Sequence, residues 1–221
     1  MKCKLAPSIL SADVACFGDQ IRQIDEAGAE YVHIDVMDGV FVPNISYGVP
    51  IVKGIRKCTD MFFDVHLMIV EPIKYVKRFI EAGADGVTVH AEACGDKLND
   101  TIDEIVAGGA CPAVAISPDT PIDPLLPVLD RLYMVLVMTV HPGYGGQTII
   151  TETFEKIRKL RRIIDERGLD VDIEVDGGIT MENAREVMEL GANVFVAGTA
   201  VFGGDIGGNV KKLKKILVTE E

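Results

Sequence analysis

Eight short apolar runs rich in β-branched residues punctuate the chain, at Lys4–Leu10, Tyr31–Met37, Met61–Met68, Gly86–Ala91, Ala113–Ser117, Met134–Val140, Val171–Val175 and Val194–Ala197. Between them lie stretches of helical period, such as Phe17, Ile21, Ile24 and Ala27, or Phe154, Ile157, Leu160 and Ile164. Nearly continuous hydrophobes mark parallel strands covered by helices, whereas a sandwich shows cleaner apolar–polar alternation and hairpin turns. The pattern predicts an α/β fold, a single (β/α)8 TIM barrel over residues 1–221; a doubly wound sheet is the alternative that pattern alone permits. At 221 residues the barrel must have short connections, and no linker or low-complexity segment divides it.

Punctuation between the runs agrees. Gly28-Ala29, Gly83-Ala84, Gly109-Ala110 and Gly191-Ala192 each stand a few residues before a strand, where glycine can take positive φ at a helix C-terminus. Ser11 or Asp13 is expected to cap the first helix, Pro72 to open the third, Thr151 or Thr153 to cap the sixth, and Thr180 with Asn183 the seventh.

With 22 Lys+Arg against 34 Asp+Glu the formal charge is -12, which opposes a general nucleic-acid or anionic-membrane surface. An anion pocket would have to use helix N-termini and backbone N–H groups. Five scattered cysteines without a CxxC pair read as reduced thiols, and no apolar stretch approaches the ~18 residues that cross a bilayer, so a cytoplasmic protein is expected.

Polar residues interrupt three strands in a telling way. In Tyr31–Met37, His33 and Asp35 share one face while Val32, Ile34 and Val36 share the other; Asp64 and His66 repeat the pattern, and Glu174 and Asp176 share a face before a glycine turn. Buried together, such groups must satisfy one another, bind water or hold a metal. Since functional groups of a barrel collect at the C-terminal mouth, His33, Asp35, His66 and Asp176 are candidates for a two-histidine, two-carboxylate site. That donor set suits one divalent ion per subunit, Zn²⁺, Fe²⁺, Mn²⁺ or Co²⁺. A set of purely structural His–Asp hydrogen bonds is the competing reading. His90 either joins this mouth or is a satisfied core histidine.

Small-residue turns follow the last two strands: Gly177-Gly178, and Gly198-Thr199 ahead of a segment long enough for a short helix. This part of a barrel often receives phosphate. The loop His141-Pro142-Gly143-Tyr144-Gly145-Gly146-Gln147 lacks the spacing and lysine of a P-loop and is either lid-like or a tight turn. Met37, Met68 and Met138 end three strands and form either an adaptable apolar surface or ordinary core.

Across essentially the whole chain these stretches resemble the ribulose-phosphate 3-epimerase family. The resemblance is carried by Ala6-Pro7-Ser8-Ile9-Leu10-Ser11-Ala12-Asp13, His33-Ile34-Asp35-Val36-Met37-Asp38-Gly39, Phe41-Val42-Pro43-Asn44, Asp64-Val65-His66-Leu67-Met68, Gly143-Tyr144-Gly145-Gly146-Gln147, Glu174-Val175-Asp176-Gly177-Gly178-Ile179 and Gly198-Thr199-Ala200-Val201-Phe202. It implies a ribulose-phosphate-binding barrel with a divalent metal on His33, Asp35, His66 and Asp176. It further implies Asp35 and Asp176 as the acid/base pair, Ser8 near substrate and the turns after the last two strands around phosphate. His66, Met37, Met68, Met138, His141, Gly143, Gly145 and Gly146 are expected to contact a small phosphorylated ketose, and the family's members imply a homo-oligomer. Two positions depart from the family's usual asparagine: His141, before Pro-Gly, and Ser117, before Pro. A related epimerase of allulose 6-phosphate shares the metal and aspartate pattern and stands as the alternative activity; a non-catalytic metal- or phosphate-binding barrel is the alternative of a different kind. No strand-end lysine offers a Schiff-base nucleophile.

Overall fold

Each apolar run supplies a strand, in a computed structural model that describes residues 2–218. The strands are β1 (Lys4–Pro7), β2 (Tyr31–Met37), β3 (Phe62–Met68), β4 (Gly86–His90), β5 (Cys111–Ile116), β6 (Met134–Met138), β7 (Asp172–Asp176) and β8 (Val194–Ala197). All neighbours pair in parallel, in the order β1-β8-β7-β6-β5-β4-β3-β2. The two ends meet at a parallel bridge between Ser8 and His33, beside a hydrogen bond of 3.2 Å from the Glu30 N–H to the Leu5 carbonyl. The sheet thus returns on itself as a (β/α)8 barrel rather than lying open as a doubly wound sheet.

Helices α1 (Phe17–Glu26), α2 (Val49–Ile55), α3 (Val76–Glu81), α4 (Ala91–Cys94), α5 (Leu98–Ala107), α6 (Phe154–Glu166), α7 (Ala184–Glu189), α8 (Thr199–Phe202) and α9 (Ile206–Ile216) cover the outside. The main core lies between them and the outward strand residues, such as Val32, Ile34, Phe63, Val65, Ile173 and Phe195. The glycine-alanine pairs behave as read: Gly28 has φ 90° and Gly191 φ 112°, where a Cβ would strain the turn.

Three local expectations need correction. Between β5 and β6 the described chain has only 3-10 turns, at Asp123–Leu125 and Leu129–Arg131. Pro118, Pro121, Pro124 and Pro127 remove a backbone donor every third residue there, which no α-helix tolerates. The first strand stops at Pro7 instead of reaching Leu10, because the Ser8 hydroxyl accepts from the Leu10 N–H and starts a 3-10 turn. Neither Thr151 nor Thr153 caps α6; the Thr153 hydroxyl instead donates to the Ile150 carbonyl at 2.6 Å. Asp13 caps a 3-10 turn (Val14–Cys16) ahead of α1, Pro72 opens a 3-10 turn (Pro72–Lys74) ahead of α3, and in the turn before α7 Asn183 Oδ1 accepts from the Thr180 N–H and the Thr180 hydroxyl from the Glu182 N–H, neither side chain capping α7 itself.

Inside the barrel the N-terminal floor is closed by one cation among aromatic rings. Lys4 Nζ donates to Asp172 Oδ2 at 2.5 Å, to the Tyr31 hydroxyl at 3.0 Å and to the Tyr133 hydroxyl at 3.2 Å, while Phe62 stacks on both tyrosine rings. Lys4→Met keeps the stem but leaves two hydroxyls and Asp172 short of a donor. The expected outcome is a loss of ~1–3 kcal/mol of stability, read as a lower thermal midpoint, without loss of the ligand-binding mouth at the opposite end.

Candidate active site at the C-terminal mouth

Strands β2 and β3 build the centre of the mouth. Their register sets His33 beside Asp64 and Asp35 beside His66, with all four side chains inside the barrel and buried. His33 Nδ1 lies 2.6 Å from Asp64 Oδ2, and the Thr88 hydroxyl donates to the other Asp64 oxygen at 3.2 Å. An imidazole held this way points Nδ1–H at Asp64 and turns Nε2 toward the mouth; burial tends to lower its pKa, but the Asp35 and Asp64 carboxylates outweigh that and hold it well above the usual histidine value. That Nε2 sits 3.3 Å from Asp35 Oδ1 and 3.9 Å from Asp176 Oδ2, yet has no hydrogen-bond partner. From the other side His66 Nδ1 lies 3.3 Å from Asp35 Oδ1 and 3.7 Å from Asp176 Oδ2. The Ser8 hydroxyl donates to Asp35 Oδ2 at 2.5 Å.

One ligand atom from each of His33, Asp35, His66 and Asp176 lies within 4.8 Å of the others. Two imidazole nitrogens and two carboxylate oxygens converging on one point, one of those nitrogens buried and unpartnered, fit a divalent cation of the Zn²⁺, Fe²⁺, Mn²⁺ or Co²⁺ type. The electrostatics agree. Burial tends to raise the Asp35 carboxyl, but His33 and His66 outweigh it and hold the group well below the usual range. Burial and then the Asp35 charge push Asp176 up to about 7. Two acids with one compensating environment between them are a place where positive charge is missing. Deeper in the barrel, Glu174 lies 3.6 Å from His33 Nδ1; burial and the Asp64 charge push its carboxyl well up.

The match to known proteins is extensive. The profile described as the ribulose-phosphate 3 epimerase family covers residues 4–202. The chain belongs to the ribulose-phosphate 3-epimerase family. It is 50% identical to the ribulose-phosphate 3-epimerase of Bacillus subtilis (strain 168) over 201 residues, 90% of this chain and 92% of that one. The Synechocystis sp. enzyme of the same name is 51% identical over 199 residues, 90% of this chain and 86% of its own. Among solved structures, 3-hexulose-6-phosphate synthase from Salmonella typhimurium shares the fold, with a TM-score of 0.74 at 19% identity over 97% of this chain and 98% of that one.

Beside these four residues the epimerase-family barrel opens into a cavity of about 340 Å³ lined by Ser8, Asp35 and Asp176 among others. Met37, Met68 and Met138 give it an apolar side, and Gly177, Gly178, Gly198 and Thr199 line it too. Gly178 has φ 69°, and a Cβ there would stand 2.5 Å from the Ile149 N; a Cβ on Gly198 would stand 2.5 Å from Ser11 Oγ. Side chains are therefore kept out of the turns that border the cavity. Gly143, Gly145 and Gly146 line it as well, in a loop pinned by Asn44 Nδ2 on the Gly143 carbonyl and by Gln147 Nε2 on the His141 and Tyr144 carbonyls, each 2.8 Å. This pinning supports the tight-turn reading of the loop over the lid.

Two of the expected contact positions stand elsewhere. His66 is wholly buried beneath the cavity and does not line it. The His141 ring projects outward, 61% exposed, with Nδ1 3.8 Å from Asp119, and Ser117 likewise is not a lining residue. Conversely Ser11 and Asn183, read only as caps, do line the cavity, and Asn183 Nδ2 donates to the Gly178 carbonyl at 2.8 Å. Their polarity next to a glycine turn was the available signal. Asp64→Ala removes the acceptor that fixes His33, and is expected to weaken Co²⁺ or Zn²⁺ uptake by roughly 10–100-fold in a chelator competition, with the barrel intact by circular dichroism.

Proposed function

We propose that residues 1–221 form one catalytic domain, a metal-dependent 3-epimerase interconverting D-ribulose 5-phosphate and D-xylulose 5-phosphate. Family membership together with the convergent His33, Asp35, His66 and Asp176 cluster under a glycine-edged cavity of about 340 Å³ carries this reading. Inverting C3 of a 2-ketose requires that the C3 proton leave from one face and a proton arrive at the other. The electron pair left at C3 delocalises onto the C2 oxygen as a 2,3-enediolate, and returns to C3 when the second proton arrives. Asp35 and Asp176 are assigned to the two faces, each a base in one direction and an acid in the other.

A divalent ion bound by His33, Asp35, His66 and Asp176 supplies Lewis-acid stabilisation of negative charge on substrate oxygen. Everything else falls to the chain. Ser8 fixes Asp35 through a hydrogen bond of 2.5 Å, so that this carboxylate cannot rotate away from the cavity. Met37, Met68 and Met138 exclude water from the reacting carbon while accommodating either epimer. Phosphate is assigned to the backbone of Gly177, Gly178, Gly198 and Thr199, distant from C3, where it anchors the sugar against drift. The exposed His141 and the non-lining Ser117 give no contact that would select allulose 6-phosphate. The same reading includes a cytoplasmic homo-oligomer that binds neither nucleic acid nor membrane; among the described residues no helix is long and apolar enough to cross a membrane.

The test is solvent exchange. In deuterated water the protein should incorporate deuterium at C3 of ribulose 5-phosphate, and Asp176→Asn should slow this by roughly 10²–10⁴-fold without unfolding. Near-normal exchange in that variant would remove Asp176 from the mechanism, and binding without exchange in the parent protein would favour a non-catalytic barrel. Metal-reconstituted protein should show the higher kcat/KM on ribulose 5-phosphate; a preference for allulose 6-phosphate would reassign the substrate.

A further inference from the structure

Among the described residues no lysine, arginine or histidine side chain lines the cavity, and its two charged side chains, Asp35 and Asp176, are acidic. A phosphorylated substrate must therefore be held there by neutral donors, backbone N–H groups and a few polar side chains. Several of those side chains spend their donors inside the protein. Ser8 donates to Asp35, Asn183 Nδ2 to the Gly178 carbonyl, and Gln147 Nε2 to two carbonyls of its own loop. Ser11 is half-buried and lines the cavity, yet among the described residues only its backbone N–H is engaged, 3.3 Å from the Ser8 carbonyl. Its hydroxyl has no partner in the protein.

The place of that hydroxyl is fixed by its neighbours. Gly198 has φ -94°, outside the left-handed region, so it is the space around it that demands glycine. A Cβ there would stand 2.5 Å from Ser11 Oγ, 3.3 Å from Ser11 Cβ and 3.9 Å from Ser8 Cβ. Across the cavity rim, a Cβ on Gly145 would meet Ser11 Oγ first, at 3.4 Å. The hydroxyl thus lies between the turn after β8 and the loop after β6. Ser8 and Ser11 close one 3-10 turn, in which residues three apart stand above one another at about 6 Å.

We propose that Ser11 is a specificity-determining residue whose hydroxyl donates to a phosphate oxygen of the ketose phosphate. The inference rests on the proposed epimerase, with its phosphate on the backbone of the Gly198 turn. An anion seated there comes within reach of the oxygen packed against Gly198. A lysine or arginine in its place would pair with Asp35 or Asp176 in the same cavity; a hydroxyl holds the phosphate without competing for either carboxylate. Since Ser8 fixes Asp35, a single turn of backbone ties the carboxylate assigned to C3 to the group that reads the phosphate.

Ser11→Ala removes one oxygen that no other residue uses, so the fold has nothing to lose by it. Its kcat/KM on ribulose 5-phosphate should fall roughly 10–100-fold, the loss of one hydrogen bond to a charged group. On unphosphorylated ribulose, followed by deuterium exchange at C3, it should match the parent. Asp13→Ala, which unties the next turn but leaves the Ser11 hydroxyl, should keep the parent's preference for the phosphorylated sugar. An equal loss on both sugars in Ser11→Ala, no loss on either, or a lost preference in Asp13→Ala would overturn the role of Ser11. Calorimetric titration of the chelator-treated chain with inorganic phosphate needs no turnover and separates this role from the epimerase reading. Phosphate binding that weakens in Ser11→Ala, from a parent that exchanges no C3 proton, would sink the epimerase and leave Ser11 as a phosphate donor. Equal phosphate affinity in the two proteins, with an active parent, would sink Ser11 alone.

Discussion

Strands β2 and β3 each turn one imidazole and one carboxylate into the barrel, in opposite order, and their register sets His33 against Asp64 and Asp35 against His66. Ionisable groups inside an apolar barrel are costly unless every one has a partner. A slip of one residue would turn the slipping strand's imidazole and carboxylate to the helix-facing side and bring its apolar residues, Val32 and Ile34 or Val65 and Leu67, inward. A slip of two would set His33 against His66 and leave both carboxylates unpaired, or set Asp35 against Asp64 and leave both imidazoles unpaired. The observed pairing is therefore the register in which the interior is electrostatically tolerable, and it is also the one that leaves His33 Nε2 and His66 Nδ1 facing Asp35 and Asp176. Stability of the register and assembly of the ligand cluster are one requirement.

The mouth is held around that cluster by short-range bonds between neighbouring loops. The Asp38 carboxylate accepts from the Val40, Phe41 and Val70 N–H groups, joining the loops after β2 and β3, each bond at 2.8 Å. Asn44 reaches across to the Gly143 carbonyl beyond β6, and the Thr139 hydroxyl donates to the Gly177 carbonyl at 2.6 Å. Such bonds hold the carboxylates and the glycine turns that border the cavity in one frame. Preorganisation of this kind spares a bound ligand the entropy of ordering the rim.

Much of this was legible in the sequence because the barrel has two chemically opposite faces per strand. Alternation alone placed His33, Asp35, Asp64, His66, Glu174 and Asp176 inward and the intervening valines outward, and glycine before a small residue marked the helix ends. Tertiary partnership was not legible. Nothing local distinguishes Asp64, which holds His33 Nδ1, from Asp35, which lies in the cluster with His33, His66 and Asp176; the difference is one level of depth in the barrel. His141 stands in a glycine-rich loop whose neighbours line the cavity, yet the backbone turns its ring outward toward Asp119. The fifth crossover had apolar residues at helical spacing, but four prolines at intervals of three allow only 3-10 turns.

The two histidines differ in the nitrogen they offer because a carboxylate can be used only so often. Asp64 lies one level below His66 on the same strand, but its oxygens are already engaged by His33 Nδ1 and the Thr88 hydroxyl. The residue beside His66 on β4 is Thr88 itself, which points its proton toward Asp64. The next inward side chain of that strand is His90, so the rear nitrogen of His66 meets an imidazole rather than an acid. An imidazole accepts or donates at Nε2 according to its own tautomer, and cannot dictate a direction unless something beyond it does. Glu92, the second residue after β4 ends, stands 3.3 Å from the other nitrogen of His90 as Asp35 stands 3.3 Å from that of His66, and the loop that follows β5 holds Glu92 in place. Support for one side of the mouth therefore comes from the barrel interior and for the other from its rim, which gives the rim loop an energetic connection to the centre without a residue in the cavity.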